Sequence, residues 1–414
     1  MLIIFGKGKV GRGVDHLLTV LEIPHIMMDD GDYDEVQLAQ AEQILISPGI
    51  KLEHMLYKNY PDKIISELNF IAKILPTLPL QHRPEFIGIT GTNGKSTTTR
   101  MLYNIFQNFF TDKKVHLTWN YDIPLSETLA MIIEKKQTDH HHVCIMECSS
   151  FMLYHLSDFY FDYSILLNIA TDHLDWHKDF QDYTQAKLNI LTFTKKIGFT
   201  NKQIFAQLPH SIQKHTQIYI PLASLTWTQF VGQHNQEDLW SALDLFHAYI
   251  QDHDIENDAQ RIQTILSEIS PLDHRLRRIA TVQDIDIYDD SICTSAQALN
   301  AALQSFWGKV VLICWWYDKG EDYERLTSVF DQKVAYALLM GQTASKFETI
   351  CNQKNIPYEI LSDFSTITQT WLQKAKDLQV PLLFSPWSAS FDMFQNVYDR
   401  AQKFVIEIEK LQSD

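Results

Sequence analysis

The chain has 414 residues, 45% hydrophobic and 21% charged, which is ordinary globular material and enough for two to four domains with separate cores. Its formal charge of −16 argues against a nucleic-acid or anionic-membrane surface, since either partner asks for a basic face. No run approaches the roughly 18 apolar residues of a membrane span, and the apolar start is too short for a signal peptide, so a cytoplasmic protein is expected. Cys144, Cys148, Cys293, Cys314 and Cys351 form no Cys-x-x-Cys pair and sit mostly in apolar runs, which predicts buried thiols.

The first segment, 1–82, opens on Leu2-Ile3-Ile4-Phe5 and turns at Gly6-Lys7-Gly8-Lys9-Val10-Gly11, a G-x-G-x-x-G after a strand. Asp29 follows near the spacing of a ribose-binding acid, and the strand Ile44-Leu45-Ile46 exits into Ser47-Pro48-Gly49. These features predict a small nucleotide-binding α/β unit. A G-x-G-x-x-G alone also suits a ligand-free glycine turn, or a dinucleotide-dependent oxidoreductase.

The second segment, 83–269, carries the strongest signal. The strand Phe86-Ile87-Gly88-Ile89 runs into Thr90-Gly91-Thr92-Asn93-Gly94-Lys95-Ser96-Thr97 and a helix over 96–109. A strand, a glycine loop and a helix N-terminus can surround phosphates with backbone N–H groups, while Lys95 reaches the outer phosphates and Ser96 holds Mg²⁺. ATP is therefore the expected nucleotide, although Ile89 stands where the general phosphate-loop pattern has Gly. A strand at 143–146 delivers Glu147, and one at 165–169 delivers Thr171, Asp172, His173 and Asp175. In an open parallel sheet, ligands bind beyond the carboxyl ends, so Glu147 and His173 should face the crevice of Lys95. His140-His141-His142 reads as a solvated loop, and Lys187, on its residue type alone, as a surface lysine.

The third segment, 270–414, repeats the alternation with strands at 285–288, 310–314, 336–340 and 381–384. Three α/β modules in tandem predict a multi-domain enzyme with clefts between the modules.

With these residues in view, the chain resembles the Mur ligases of bacterial cell-wall synthesis. The resemblance runs the whole length: the loop 90–97, Glu147-Cys148-Ser149-Ser150-Phe151, Thr171-Asp172-His173-Leu174-Asp175, Ala186-Lys187-Leu188, Gly232-Gln233-His234-Asn235, His274-Arg275 and Asp289-Asp290-Ser291. Asp318-Lys319-Gly320 and Ser390-Phe391-Asp392-Met393-Phe394, with Thr294, point to the glutamate-adding branch. The resemblance implies a Rossmann-like UDP-binding domain, a central phosphate-loop ATPase-like domain with a parallel or mixed sheet, and a Rossmann-like C-terminal domain. It implies a monomer that uses ATP to phosphorylate the carboxylate of UDP-N-acetylmuramoyl-L-alanine and then joins it to D-glutamate. Another ligase of the superfamily, such as a folyl-polyglutamate type, and a catalytically impaired nucleotide-binding protein are the alternatives.

Carried onto this sequence, the resemblance assigns Gly91, Thr92, Asn93, Gly94, Lys95, Ser96, Thr97, Asn235, Arg275 and Asp290 to ATP. It assigns two Mg²⁺ ions to Ser96, Glu147, His173 and Lys187, the last carrying CO₂ as a carbamate. Lys95, His173 and Lys187 would be catalytic. Gly8, Lys9, Val10, Asp29, Ser47, Gly49 and Asn120 would hold the UDP-sugar, and Thr294, Lys319, Ser390 and Phe391 the glutamate.

Trp119, Trp315, Trp316 and Trp387 stand where the family pattern most often has Gly or another small residue. The chain has 14 Gly and 9 Trp, where average usage predicts roughly 29 Gly. Together these suggest that the four codons are UGA, read as glycine in the source lineage.

Overall fold

The computed structural model describes residues 1–118, 123–135, 141–220, 233–270, 272–293, 296–316, 326–341, 344–361, 364–386 and 397–413. Its described strands form three sheets. The first contains β1 (Leu2–Phe5), β2 (His25–Met28), β3 (Gln43–Ile46) and β4 (Ile64–Ser66), all parallel in the order β2-β1-β3-β4. Parallel strands bury both faces and therefore read as continuous apolar runs. Ile3 and Phe5 pack on one face with Ile44 and Ile46, whereas Ile4 and Leu45 pack on the other with Val14, Leu17 and Leu18 of the helix Lys9–Val20.

That helix approaches the strand exit without room for a side chain at Gly11. A Cβ there would lie 1.8 Å from the Gly6 carbonyl oxygen, a backbone atom that cannot rotate away. Gly11→Ala should cost about 3 kcal/mol or more, read as a fall in the urea midpoint of unfolding. An unchanged midpoint would mean that the close approach does not set the fold here.

The second sheet contains β5 (Glu85–Thr90), β6 (Lys113–Thr118), β7 (His141–Glu147), β8 (Phe161–Leu166), β9 (Thr194–Thr200) and β10 (Thr216–Ile218). Their order is β10-β9-β8-β5-β7-β6, and every pairing is parallel. β8 begins earlier than the expected 165–169, and it ends earlier because Asn168 turns its side chain to the phosphate loop, accepting from Asn93 N and donating to Asn93 O. The expected histidine loop is also corrected. His141 and His142 open β7, and buried His142 pairs its Nδ1 with His116 Nε2 at 2.9 Å, where burial pushes His116 down to about 4.

The third sheet contains β11 (Arg277–Val282), β12 (Ile285–Asp289), β13 (Val310–Trp316), β14 (Val334–Gly341), β15 (Tyr358–Ile360) and β16 (Leu382–Phe384), in the order β11-β12-β16-β13-β14-β15. Only its β11–β12 pair is antiparallel among the described strands. The five cysteines are buried thiols.

The chain divides into two compact units, Met1–Thr226 with Glu237–Ile269 and Trp227–Gln236 with Ser270–Asp414. Within the first unit, buried polar contacts join the first two sheets. The Glu67 carboxylate accepts from Ser126 N (2.9 Å) and Ser126 Oγ (2.6 Å) at the start of the helix Leu125–Glu134. Asn69 accepts from Ser157 N and Asp158 N and donates to His155 O. Each of these groups would cost more buried alone than paired, so the contacts fix how the two layers meet. Among the described residues no helix is long and apolar enough to cross a membrane.

Candidate active site

The loop between β5 and the helix Lys95–Phe109 is shaped by glycine and by its neighbours. Gly94 caps the helix at φ +83°, and a Cβ on it would meet Asp238 Oδ1 at 2.4 Å, so only glycine fits. Thr92 N donates to Asn168 O and Asn93 N to Asn168 Oδ1, which leaves the helix N-terminus as the anion-facing donor set. Thr92 Oγ1 accepts from Ala170 N and lies 2.9 Å from the Tyr183 hydroxyl. Ser96 and Thr97 open the helix beside Lys95.

Two lysines converge on this loop. Lys95 Nζ donates to Gly91 O and Thr92 O, both at 2.8 Å, and Lys187 Nζ donates to the same Gly91 O at 2.8 Å. Lys187 lies on the helix Phe180–Thr192 and is 1% exposed, so it is not the surface lysine its residue type suggested. Burial, and then the nearby Lys95 charge, holds its ammonium well below the usual lysine range. Two cations share one carbonyl only at a cost, which adds to the burial that disfavours the charged form of Lys187.

Glu147 ends β7 with 1% exposure, and its Oε2 has no hydrogen-bond partner. A buried, unpaired carboxylate oxygen is costly unless a cation completes it, so this residue fits a Mg²⁺ ligand. His173 sits at φ +53°, with Nε2 3.4 Å from Asp172 Oδ2. Burial pushes its imidazole down, and Lys95 and Lys187 add to this while Asp172 opposes it, which leaves a neutral nitrogen. Lys95, Asp172 and Glu147 are all near enough to act electrostatically on Lys187. The structure thus brings Lys95 after β5, Glu147 at the end of β7, His173 in the loop after β8 and Lys187 on the helix Phe180–Thr192 toward one another. Among the described residues no three His, Cys, Asp or Glu side chains cluster as a metal site. An oxygen supplied at Ser96 and Lys187 is what the set would need.

The expected UDP-sugar residues surround the exits of β1 and β3. Gly8 caps the helix that begins at Lys9 and Val10, and Ser47 Oγ lies 3.4 Å from Gly6 O. The Asp29 carboxylate accepts from Gly31 N in its own turn, and Gly49 has open space around it. Lys7 pairs with Asp32, a contact the sequence reading missed. Asn120 lies outside the described residues.

In the second unit, Asp290 is buried and accepts from Ser385 Oγ at 2.7 Å and Leu276 N at 3.2 Å. Burial raises its carboxyl to about 7, against the Ser385 hydrogen bond and the Arg275 charge. Asn235 lies on the helix Gln233–Asp252. His274 Nδ1 pairs with Asp289 Oδ2 at 2.7 Å, and the buried Arg400 donates to Ser291 O. Ser385 and Arg400 were not singled out in the sequence, where they stand more than 90 residues from their partners. Thr294, Lys319, Ser390 and Phe391 lie outside the described residues.

The Asp290 carboxyl makes stability depend on pH. Its folded value lies above the ordinary 3.8, so the fold favours the protonated form, and stability falls as pH rises from about 4 to about 7. Asp290→Asn should flatten this fall, raising the unfolding free energy at pH 8, read from urea titrations, by on the order of a few kcal/mol. A variant with the same pH slope as the parent would count against it.

Fold and site together define a nucleotide-dependent α/β enzyme, with a phosphate loop, a buried carboxylate and a buried amine gathered at one sheet edge. Residues 89–245 match the Mur ligase middle domain. The UDP-N-acetylmuramoylalanine--D-glutamate ligase of Caldanaerobacter subterraneus subsp. tengcongensis is 30% identical over 90% of this chain and 85% of that protein. The ligase of the same name from Aquifex aeolicus is 28% identical over 97% of each chain. The chain belongs to the Mur ligase family. Its fold is like that of UDP-N-acetylmuramate-alanine ligase MurC from Thermotoga maritima, with a TM-score of 0.58 at 13% identity over 99% of each chain. The MurF ligase from the same organism, solved in complex with ADP, gives 0.56 at 15% identity, covering 99% of this chain and 95% of that one.

Proposed function

We propose that this chain joins D-glutamate to UDP-N-acetylmuramoyl-L-alanine at the expense of ATP, in the cytoplasm and as a monomer. The observation that supports it most is the meeting of Lys95, Lys187 and Gly91 O beside the unpaired Glu147 oxygen.

A carboxylate oxygen of the alanyl end attacks the γ-phosphorus, the bond to the bridging oxygen breaks, and ADP leaves with that electron pair. The uncharged amine of glutamate then adds to the acyl-phosphate carbon, loses a proton, and the tetrahedral centre collapses as phosphate departs. Lys95 neutralises charge on the outer phosphates, while the helix N-terminus donates N–H groups to them. Mg²⁺, held by Ser96, Glu147, His173 and a carbamate on Lys187, would lower the repulsion between two anions. By the family resemblance, Asn235 serves the adenine, Arg275 the phosphates and Asp290 the ribose of ATP. The segment 1–82 serves as the UDP-sugar domain, 83–269 as the ATP domain, and 270–414, through Thr294, Lys319, Ser390 and Phe391, as the amino-acid domain. Gly8, Lys9, Val10, Asp29, Ser47, Gly49 and Asn120 form the UDP-sugar contacts.

The test is phosphate release from ATP and UDP-N-acetylmuramoyl-L-alanine with each glutamate enantiomer. Release that requires the D form supports the reading. Release only with a folate acceptor or another amino acid would transfer the chain to a different branch of the family.

A further inference from the structure

We propose that His177 is a positioning residue that holds the three metal-binding segments of the site in register. The proposal rests on the assignment of Glu147, His173 and Lys187 to the divalent cation.

The His177 side chain is fully buried and makes two hydrogen bonds in opposite directions. Its Nδ1 lies 3.1 Å from Asp182 Oδ2, and its Nε2 lies 2.9 Å from Ser150 Oγ. An ionised Asp182 only accepts, so Nδ1 carries the proton and Nε2 accepts from the Ser150 hydroxyl. The backbone N of His177 donates to His173 O at 3.0 Å. These bonds reach three places. Ser150 begins the helix that follows Glu147 by three residues, and His173 begins the turn containing His177. Asp182 lies in the first turn of the helix that carries Lys187.

The ring is also clamped. Phe151 stacks on it with planes 13° apart, and Trp176 and Tyr183 meet it at centroid distances of 4.7 and 5.2 Å. Tyr183 extends the link to Thr92 of the phosphate loop. A residue with this placement sets the separation of the ligand-bearing segments, and outer partners of metal ligands commonly govern affinity by about 10- to 100-fold.

The test measures Mn²⁺ binding by electron paramagnetic resonance of free Mn²⁺ at saturating ADP. It compares the parent chain with His177→Gln, which keeps reach to Ser150, His177→Asn, which keeps reach to Asp182, and the milder Asp182→Ala. ADP affinity in EDTA and thermal midpoints are measured alongside. Weakening of Mn²⁺ by about tenfold or more in the His177 variants, with a smaller loss in Asp182→Ala and ADP affinity in EDTA within about twofold, is the expected result. Unchanged Mn²⁺ affinity in His177→Gln and Asp182→Ala would overturn it, as would equal losses of Mn²⁺ and metal-free ADP affinity, which indicate general disruption. A parent chain that binds ADP but no Mn²⁺ would sink the metal assignment and the proposal with it. Parent turnover with D-glutamate, measured separately, tells that failure from a failure of the proposed reaction.

Discussion

Replacing Lys187 with Ala is expected to lower phosphate release by about 10³-fold, and acetate or another short carboxylate is expected to restore part of it. The reasoning starts from burial. For an amine 1% exposed, beside a second lysine on the same carbonyl oxygen, burial and the Lys95 charge hold the ammonium well below the usual lysine range and favour the neutral form. A neutral amine adds to the carbon of CO₂, loses one proton, and becomes a carbamate with two hard oxygen atoms, the ligand type Mg²⁺ prefers. The exchange puts a negative charge where the ammonium form would crowd Lys95, so it replaces a like-charge conflict with an attraction as it builds the site. Removing the side chain leaves a cavity that an added carboxylate can enter. Carbon-13 NMR of the parent chain in labelled bicarbonate should show a carbamate carbonyl that Lys187→Ala lacks. A parent spectrum without that signal, or a variant retaining a tenth of the parent rate, would remove carbamylation from the mechanism.

What could be read in the sequence follows the range of each interaction. The strand and loop of 86–97 are local, so Gly94 and Lys95 are visible as a motif, and the left-handed cap at Gly94 bears this out. The apolar runs 2–5, 44–46 and 310–314 likewise match β1, β3 and β13. Lys187 escapes such reading because its burial is decided by Thr90 and Gly91, nearly 100 residues away. His142 escapes for the same reason. Its partner His116 lies on the neighbouring strand, and a run of three histidines resembles a solvated loop in any local window. Glu67 has no local signal, since its partner Ser126 is 59 residues distant. Short strands such as β10 and β15 carry too few residues for a pattern of their own. The long-range pairs are thus what the resemblance supplied at Lys187 and what the fold alone supplied at Glu67, His142 and Ser385.

Four positions carry the second large prediction. With glycine at 119, 315, 316 and 387 the chain should turn over on the order of 10²-fold faster, or more, than with tryptophan at all four, because misplacing reacting groups by an ångström costs that much. Trp315 and Trp316 end β13, in register with Met340 and Gly341 of β14, and so stand at the carboxyl edge from which the chain continues toward Lys319. Backbone at such an edge approaches ligands closely, and glycine permits this where an indole does not. Three of the other tryptophans, at 176, 240 and 371, are packed in the fold, whereas Trp307 is exposed. Trp371 is fully buried against Phe404, Trp176 packs on Phe151 and Tyr154, and Trp240 is 7% exposed. The two groups should therefore differ in the gene, with UGG at 176, 240 and 371 and UGA at 119, 315, 316 and 387. UGG at any two of the latter would refute the codon reading. Equal phosphate release from the two versions would show that an indole at these positions leaves the reacting groups in place.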